Sequence, residues 1–139
     1  MEFKQLDSFL RDLPAVTVDI KWENNLVYSV GDKMFAVTRV TKTCSAEAPV
    51  VDGEDGVPRL SFKTEPGLFD ILTQKEGIQP APYLARYKWV LLERIDVLQP
   101  DQLCDMLRMA HRLTLEKLSK KKQKELLAGH PSGQKRSLP

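Results

Sequence analysis

Histidine and cysteine are scarce in this sequence, two of each among 139 residues, and that scarcity removes most site chemistry at the outset. A metal centre needs several His, Cys or carboxylate ligands at helical or turn spacing. Only His111 and His130 exist, the second in a tail of Pro, Gly and Ser, so no metal or cofactor is expected, and His111 is read as a partly exposed residue of the last helix. Cys44 and Cys104 lie far apart with no Cys-x-x-Cys, which fits two reduced, partly buried thiols better than a disulfide framework. No Gly-x-Ser-x-Gly elbow or Cys/His arrangement supplies a nucleophile with its base, and Gly31 alone is no phosphate loop, so an enzyme is not expected. No apolar run approaches the ~18 residues that read as a membrane span. Met1-Glu-Phe-Lys-Gln5 also lacks the basic-then-apolar layout of a secretory signal, which makes a cytoplasmic protein the expectation.

What is present suffices for one core: 42% of the residues are hydrophobic, and this length supports a single domain. The net charge of +2 conceals a division, because residues 1–116 carry 14 basic and 18 acidic side chains and residues 117–139 carry 7 and 1. The reading is a domain over residues 1–122 followed by a basic tail, 123–139, expected to be disordered. A tail of that sign is drawn to nucleic acid or another acidic surface.

The stretch Leu26–Val40 organises the rest. Val, Tyr, Phe and Thr suit a half-buried pleated surface, and Gly31-Asp32 between two such runs supplies the positive φ of a two-residue hairpin turn. Before it, Phe3, Leu6, Phe9, Leu10 and Leu13 recur at helical spacing, Pro14 stops that helix, and Val16, Val18 and Ile20 alternate with polar residues in a strand reaching Trp22. Glu23-Asn24-Asn25 is the turn into the hairpin. After it, residues 41–58 collapse into small, acidic and turn-forming residues and read as a long, mobile connection. Asp52, Glu54 and Asp55 lack the alternation and closing Glu of a calcium loop.

Arg59–Lys63 is the next strand, with Leu60 and Phe62 inward and Arg59, Ser61 and Lys63 outward. Thr64-Glu65-Pro66 opens a short helix whose buried stripe is Leu68, Phe69, Ile71 and Leu72. Two prolines, Pro80 and Pro82, then lead through a brief turn to a strand at Lys88–Glu93, with Trp89 and Leu91 on one face and Val90 and Leu92 on the other. Pro100-Asp101 opens a closing helix that keeps apolar spacing from Leu103 to Leu118 and is loaded at its end by Lys117, Lys120, Lys121, Lys122 and Lys124.

In that order, the runs Val30-Gly-Asp-Lys-Met-Phe-Ala36, Ser61-Phe-Lys-Thr-Glu-Pro66, Gly77-Ile-Gln-Pro-Ala81, then Trp89 and the closing Leu118-Ser-Lys-Lys121, resemble the MmcQ/YjbR family over about residues 1–122. The resemblance implies an α+β fold like that of CyaY and frataxin, an antiparallel sheet of about four to five strands backed by N- and C-terminal helices. It also implies DNA binding. The chain departs from the family where many members have His-Leu-Asn-Lys-Lys-His-Trp, reading Tyr83-Leu-Ala-Arg-Tyr-Lys-Trp89, and where a Ser-Tyr pair in the last helix is here Ala110-His111.

Two functions follow as expectations. In the first, a non-enzymatic DNA-binding module, Lys33, Arg39, Arg59, Lys63, Arg86, Lys88, Lys120, Lys121 and Lys122 contact phosphates while Tyr83 and Tyr87 offer stacking or hydroxyl contacts. In the second, a protein-interaction or regulatory domain that binds no nucleic acid, the same sheet face and the Tyr83–Tyr87 segment dock a protein, with Trp89 as a buried anchor. Either would act as a monomer or weak dimer, without a membrane. Iron handling, another use of the frataxin-like fold, finds no carboxylate ridge here, since Glu2, Asp7 and Asp12 are interleaved with Lys4 and Arg11.

Overall fold

Alternation and turn chemistry set the first half of the chain. The computed structural model describes residues 3–21, 25–42, 50–51, 59–82 and 84–128. Helix α1 (Phe3–Arg11) buries Phe3, Leu6 and Leu10. Strand β1 (Val16–Lys21) follows with Val16, Val18 and Ile20 half-buried and the residues between them exposed. Strands β2 (Asn25–Val30) and β3 (Lys33–Lys42) form the hairpin, and its turn residues Gly31 and Asp32 have φ of +55° and +68°. Two consecutive left-handed residues make a type I′ turn, whose twist matches that of the paired strands.

The connection after β3 is not structureless throughout. Strand β4 (Val50–Val51) pairs antiparallel with β3 at Val40 and Lys42. Trp22, Glu23, Asn24, Cys44 and the acidic run at Asp52, Glu54 and Asp55 lie outside the described residues. Strand β5 (Leu60–Lys63) buries Leu60 and Phe62 as its alternation requires. Helix α2 (Pro66–Leu72) corrects the expected stripe: only Leu72 is buried, Leu68 and Phe69 pack at the core margin, and Ile71 is 61% exposed. At about 100° per residue, Ile71 lies farther round the helix from the buried Leu72 than Leu68 or Phe69 does, which turns it to solvent.

Strand β6 (Ile78–Pro80) occupies the sheet edge, where a proline costs no ladder bond. A 3₁₀ turn (Ala85–Tyr87) precedes strand β7 (Trp89–Leu92). The strands run β1-β2-β3-β5-β7-β6, all antiparallel, so the sheet has six strands in its path plus the short β4, more than the four to five expected. Helix α3 (Pro100–Glu116) crosses β2, β3 and β5 on the face that carries Leu26, Tyr28, Leu60 and Phe62, with α1 beside β1 and α2 over β6 and β7.

The closing helix is two helices. Helix α4 (Lys120–Ala128) begins after a break at Lys117–Ser119, with the Ser119 hydroxyl accepting from the Lys122 amide at 3.1 Å as an N-cap. Helical structure therefore runs past residue 122, where the sequence placed the domain's end, to Ala128. Leu118 and Leu126 join the margin of the core. An ideal Cβ on Gly31 would lie 2.7 Å from the Leu118 Cδ1 and 3.1 Å from the Leu126 Cδ1, so α4 is seated on the hairpin turn.

One irregularity shapes the core. Tyr28 pairs with Ala36 but Ser29 pairs with Met34, leaving Phe35 as the extra residue of a β-bulge. Phe35 is fully buried, its ring 5.5 Å edge-on from that of His111. His111 is itself only 6% exposed, a buried residue where the sequence suggested a partly exposed one. Its Nε2 lies 2.7 Å from the Pro14 carbonyl, which can only accept, so Nε2 carries the proton. Burial lowers the His111 pKa, and the bond to Pro14 opposes that in part.

Candidate nucleic-acid interface

The basic residues singled out in the sequence separate into three places. Lys33 opens β3 just after the hairpin turn, and Lys63 closes β5 at the same end of the sheet. There Lys63 meets Lys117, which ends α3, and α4 continues the charge with exposed Lys120, Lys121, Lys122 and Lys124. Partial burial, then the ammonium group of Lys117 and that of Lys33, push the Lys63 pKa down to about 8. Lys117 and Lys33 thus disfavour the charge on Lys63, a strain that an anion placed there relieves.

Lys88 adjoins this end, because its carbonyl accepts from both the amide and the hydroxyl of Thr64, at 2.9 and 2.6 Å. It has φ of +66°, and its ammonium sits 5.1 Å from the centre of the Phe69 ring. Arg86 and Tyr87 form a unit of their own: the guanidinium lies 4.8 Å over the Tyr87 ring and donates to its hydroxyl at 2.8 Å. One ring face of Tyr87, 51% exposed, is therefore already stacked. Tyr83 lies outside the described residues.

Arg39 and Arg59 belong elsewhere. At roughly 3.3 Å of rise per residue, Arg59 is about 13 Å along its strand from Lys63, and Arg39 about 20 Å from Lys33. One surface does not collect the whole set. Lys117 and Lys124 join the lysine group although the sequence reading treated them only as helix-end charge. Ser119, a strong N-cap residue, was the signal that a second helix starts there. Trp89, the expected anchor for a partner, is 4% exposed and is committed to the fold, its amide bonding the Leu84 carbonyl and its carbonyl the Ala81 amide.

Among the described residues, no three His, Cys, Asp or Glu side chains are placed to hold a metal ion, and no helix is long and apolar enough to cross a membrane. Cys104 is a free thiol, raised in pKa chiefly by burial.

An antiparallel sheet backed on one face by helices from both ends of the chain, with lysines gathered where α3 and α4 meet the hairpin, defines the class as an α+β domain. The YjbR family model matches residues 11–113, and the chain belongs to that family. A crystal structure of a Deinococcus radiodurans protein with the DUF419 domain is similar at 26% identity and a TM-score of 0.73, over 90% of this chain and 87% of that one. A Pseudomonas syringae protein of solved structure shares the fold at 22% identity and a TM-score of 0.62, over 82% of this chain and 99% of that one. Among curated proteins, none matches the chain.

Proposed function

We propose that this YjbR-family domain is a non-enzymatic DNA-binding module that grips the phosphate backbone with its lysine end. The observation that carries the reading is the meeting of Lys63 with Lys117 and Lys33, followed along the chain by the exposed lysines of α4. Phosphates neutralise clustered cations and release the counterions condensed on the duplex, which supplies affinity without base readout. The seat of α4 on Gly31 fixes the lysines relative to the sheet, so less order must be imposed on binding than for a free tail. Arg39 and Arg59 are not part of this grip, and the Arg86–Tyr87 pair borders it.

Anisotropy of a labelled duplex, titrated between about 50 and 200 mM salt, tests the reading, since log K falls with log salt at a slope near −0.9 for each phosphate neutralised. Changing Lys120, Lys121, Lys122 and Lys124 together to Gln, and separately Lys63 and Lys117 to Gln, lowers affinity and flattens the slope with the melting temperature kept. Substitution is preferable to truncation, because truncation also removes Leu126 from its seat on the hairpin. Binding no tighter than about millimolar at ~50 mM salt sinks the nucleic-acid reading. The competing function, a protein-interaction domain, draws on the exposed Ile71 and Tyr87. Its partner affinity would respond little to salt and to the lysine changes.

A further inference from the structure

The sheet face opposite the helices carries a groove of about 630 Å³, within the ~300–1,000 Å³ range of small-molecule sites. Its floor is one cross-strand row, Val37 opposite Ser61 and Ser61 opposite Leu91. Met34, Pro82 and Leu84 add apolar wall. Arg39 and Arg59 close one end: the register Val37–Ser61, Thr38–Leu60 brings them opposite each other at the next step, and the Thr38 hydroxyl donates to the Arg59 carbonyl at 2.6 Å.

Two like charges directly across a ladder are unfavourable. Whatever else each guanidinium touches, an anion set between them is attracted to both, and guanidinium forks match carboxylate or phosphate oxygens. The described lining is mostly aliphatic, with Met34, Val37, Leu84 and Leu91, which suits an alkyl chain.

We propose that this groove binds a small amphipathic anion, an aliphatic chain carrying a carboxylate or phosphate head, with the head between Arg39 and Arg59 and the chain along Val37, Leu91 and Leu84. The proposal does not rest on the nucleic-acid reading, since the lysine end lies at the other end of the sheet.

The full chain is titrated with decanoate and with decyl phosphate below their micellar concentrations, followed by amide chemical shifts. Decanol serves as the neutral control, decyltrimethylammonium as the cationic one and butyrate as the head without the chain. Saturable one-to-one binding is expected for at least one of the two anions, at least tenfold tighter than decanol or butyrate, with shifts centred on β3, β5, β7, Ala81 and Leu84. Which of decanoate and decyl phosphate binds more tightly identifies the head. Arg59→Glu, on an exposed residue, should weaken the anion at least tenfold and leave decanol and the melting temperature unchanged. Ser61→Leu, which fills the floor, should weaken every chain-bearing probe, and the lysine-to-Gln variants should weaken none.

Equal binding of decanol and the anions, shifts centred on α4, or indifference to Arg59→Glu would each overturn the proposal. So would sedimentation of the free chain as a dimer whose interface covers the groove, because a second copy would then be its occupant.

Discussion

Replacing Gly31 tests the hairpin and the seat of α4 in one experiment. At φ of +55° a side chain other than Gly meets the left-handed penalty of roughly 1–2 kcal/mol, heavier for a β-branched residue. The new Cβ would also stand 2.7 Å from the Leu118 Cδ1 and 3.1 Å from the Leu126 Cδ1, so both methyls must retreat by several tenths of an ångström. Those atoms end flexible side chains at the core margin, and displacing them costs about a further 1 kcal/mol, the low end of overpacking penalties. Gly31→Val should therefore lose about 2–3 kcal/mol. At roughly 3–5 °C per kcal/mol for a domain of this size, the melting temperature falls by about 6–15 °C. Urea unfolding measures the free energy, and a cycle with Leu118→Ala separates the two causes. The packing part should shrink in the Leu118→Ala background, giving a coupling near 0.5 kcal/mol, while the backbone part stays. An unchanged stability in Gly31→Val would refute the type I′ turn, and strict additivity would refute the contact between turn and Leu118.

Tyr28 is fully buried and donates to Asp7 at 2.7 Å, and Asp7 is also bonded to Arg11 at 2.8 Å. Tyr28→Phe, which leaves Asp7 its arginine, should cost about 1–2 kcal/mol by urea unfolding. Asp7→Ala, which strands the phenol, should cost more, and the reverse order would refute that pairing. His111 has its pKa lowered from 6.5 by burial, so below that pH the unfolded chain binds the extra proton first. Stability should therefore be complete above pH ~6.5 and decline as the pH falls toward the folded pKa, by at most about 1.4 kcal/mol per unit, a component absent from His111→Gln. Lys63, with its pKa lowered to about 8, should lose charge between pH 7 and 9, so DNA affinity weakens over that interval and Lys63→Arg removes the dependence. Cys104, buried in part and raised in pKa, should react with iodoacetamide at neutral pH more slowly than a free thiol peptide, as mass spectrometry would show.

Local chemistry was enough for much of this chain. Gly31-Asp32 between two β-rich runs can do little but turn a hairpin, the alternation at Val16–Ile20 and Leu60–Phe62 assigns faces without reference to any partner, and Pro14 must end a helix. The family was legible too, because its short motifs lie in the turns and strand starts that such chemistry fixes.

Tertiary structure decided the rest. The bulge that turns Phe35 into the core depends on the mismatch between β2 and β3, and the burial of His111 depends on a carbonyl ninety-seven residues away, which no periodicity reports. Ile71 has the composition of a core residue and the geometry of a surface one, because the packing of α2 turns Leu72 to the core and leaves its neighbour about 100° round the helix. The basic residues were visible one by one, but charge has no period. Only the register of β3 against β5 puts Arg39 beside Arg59, and only the packing of α3 and α4 on the hairpin brings Lys117 to Lys63.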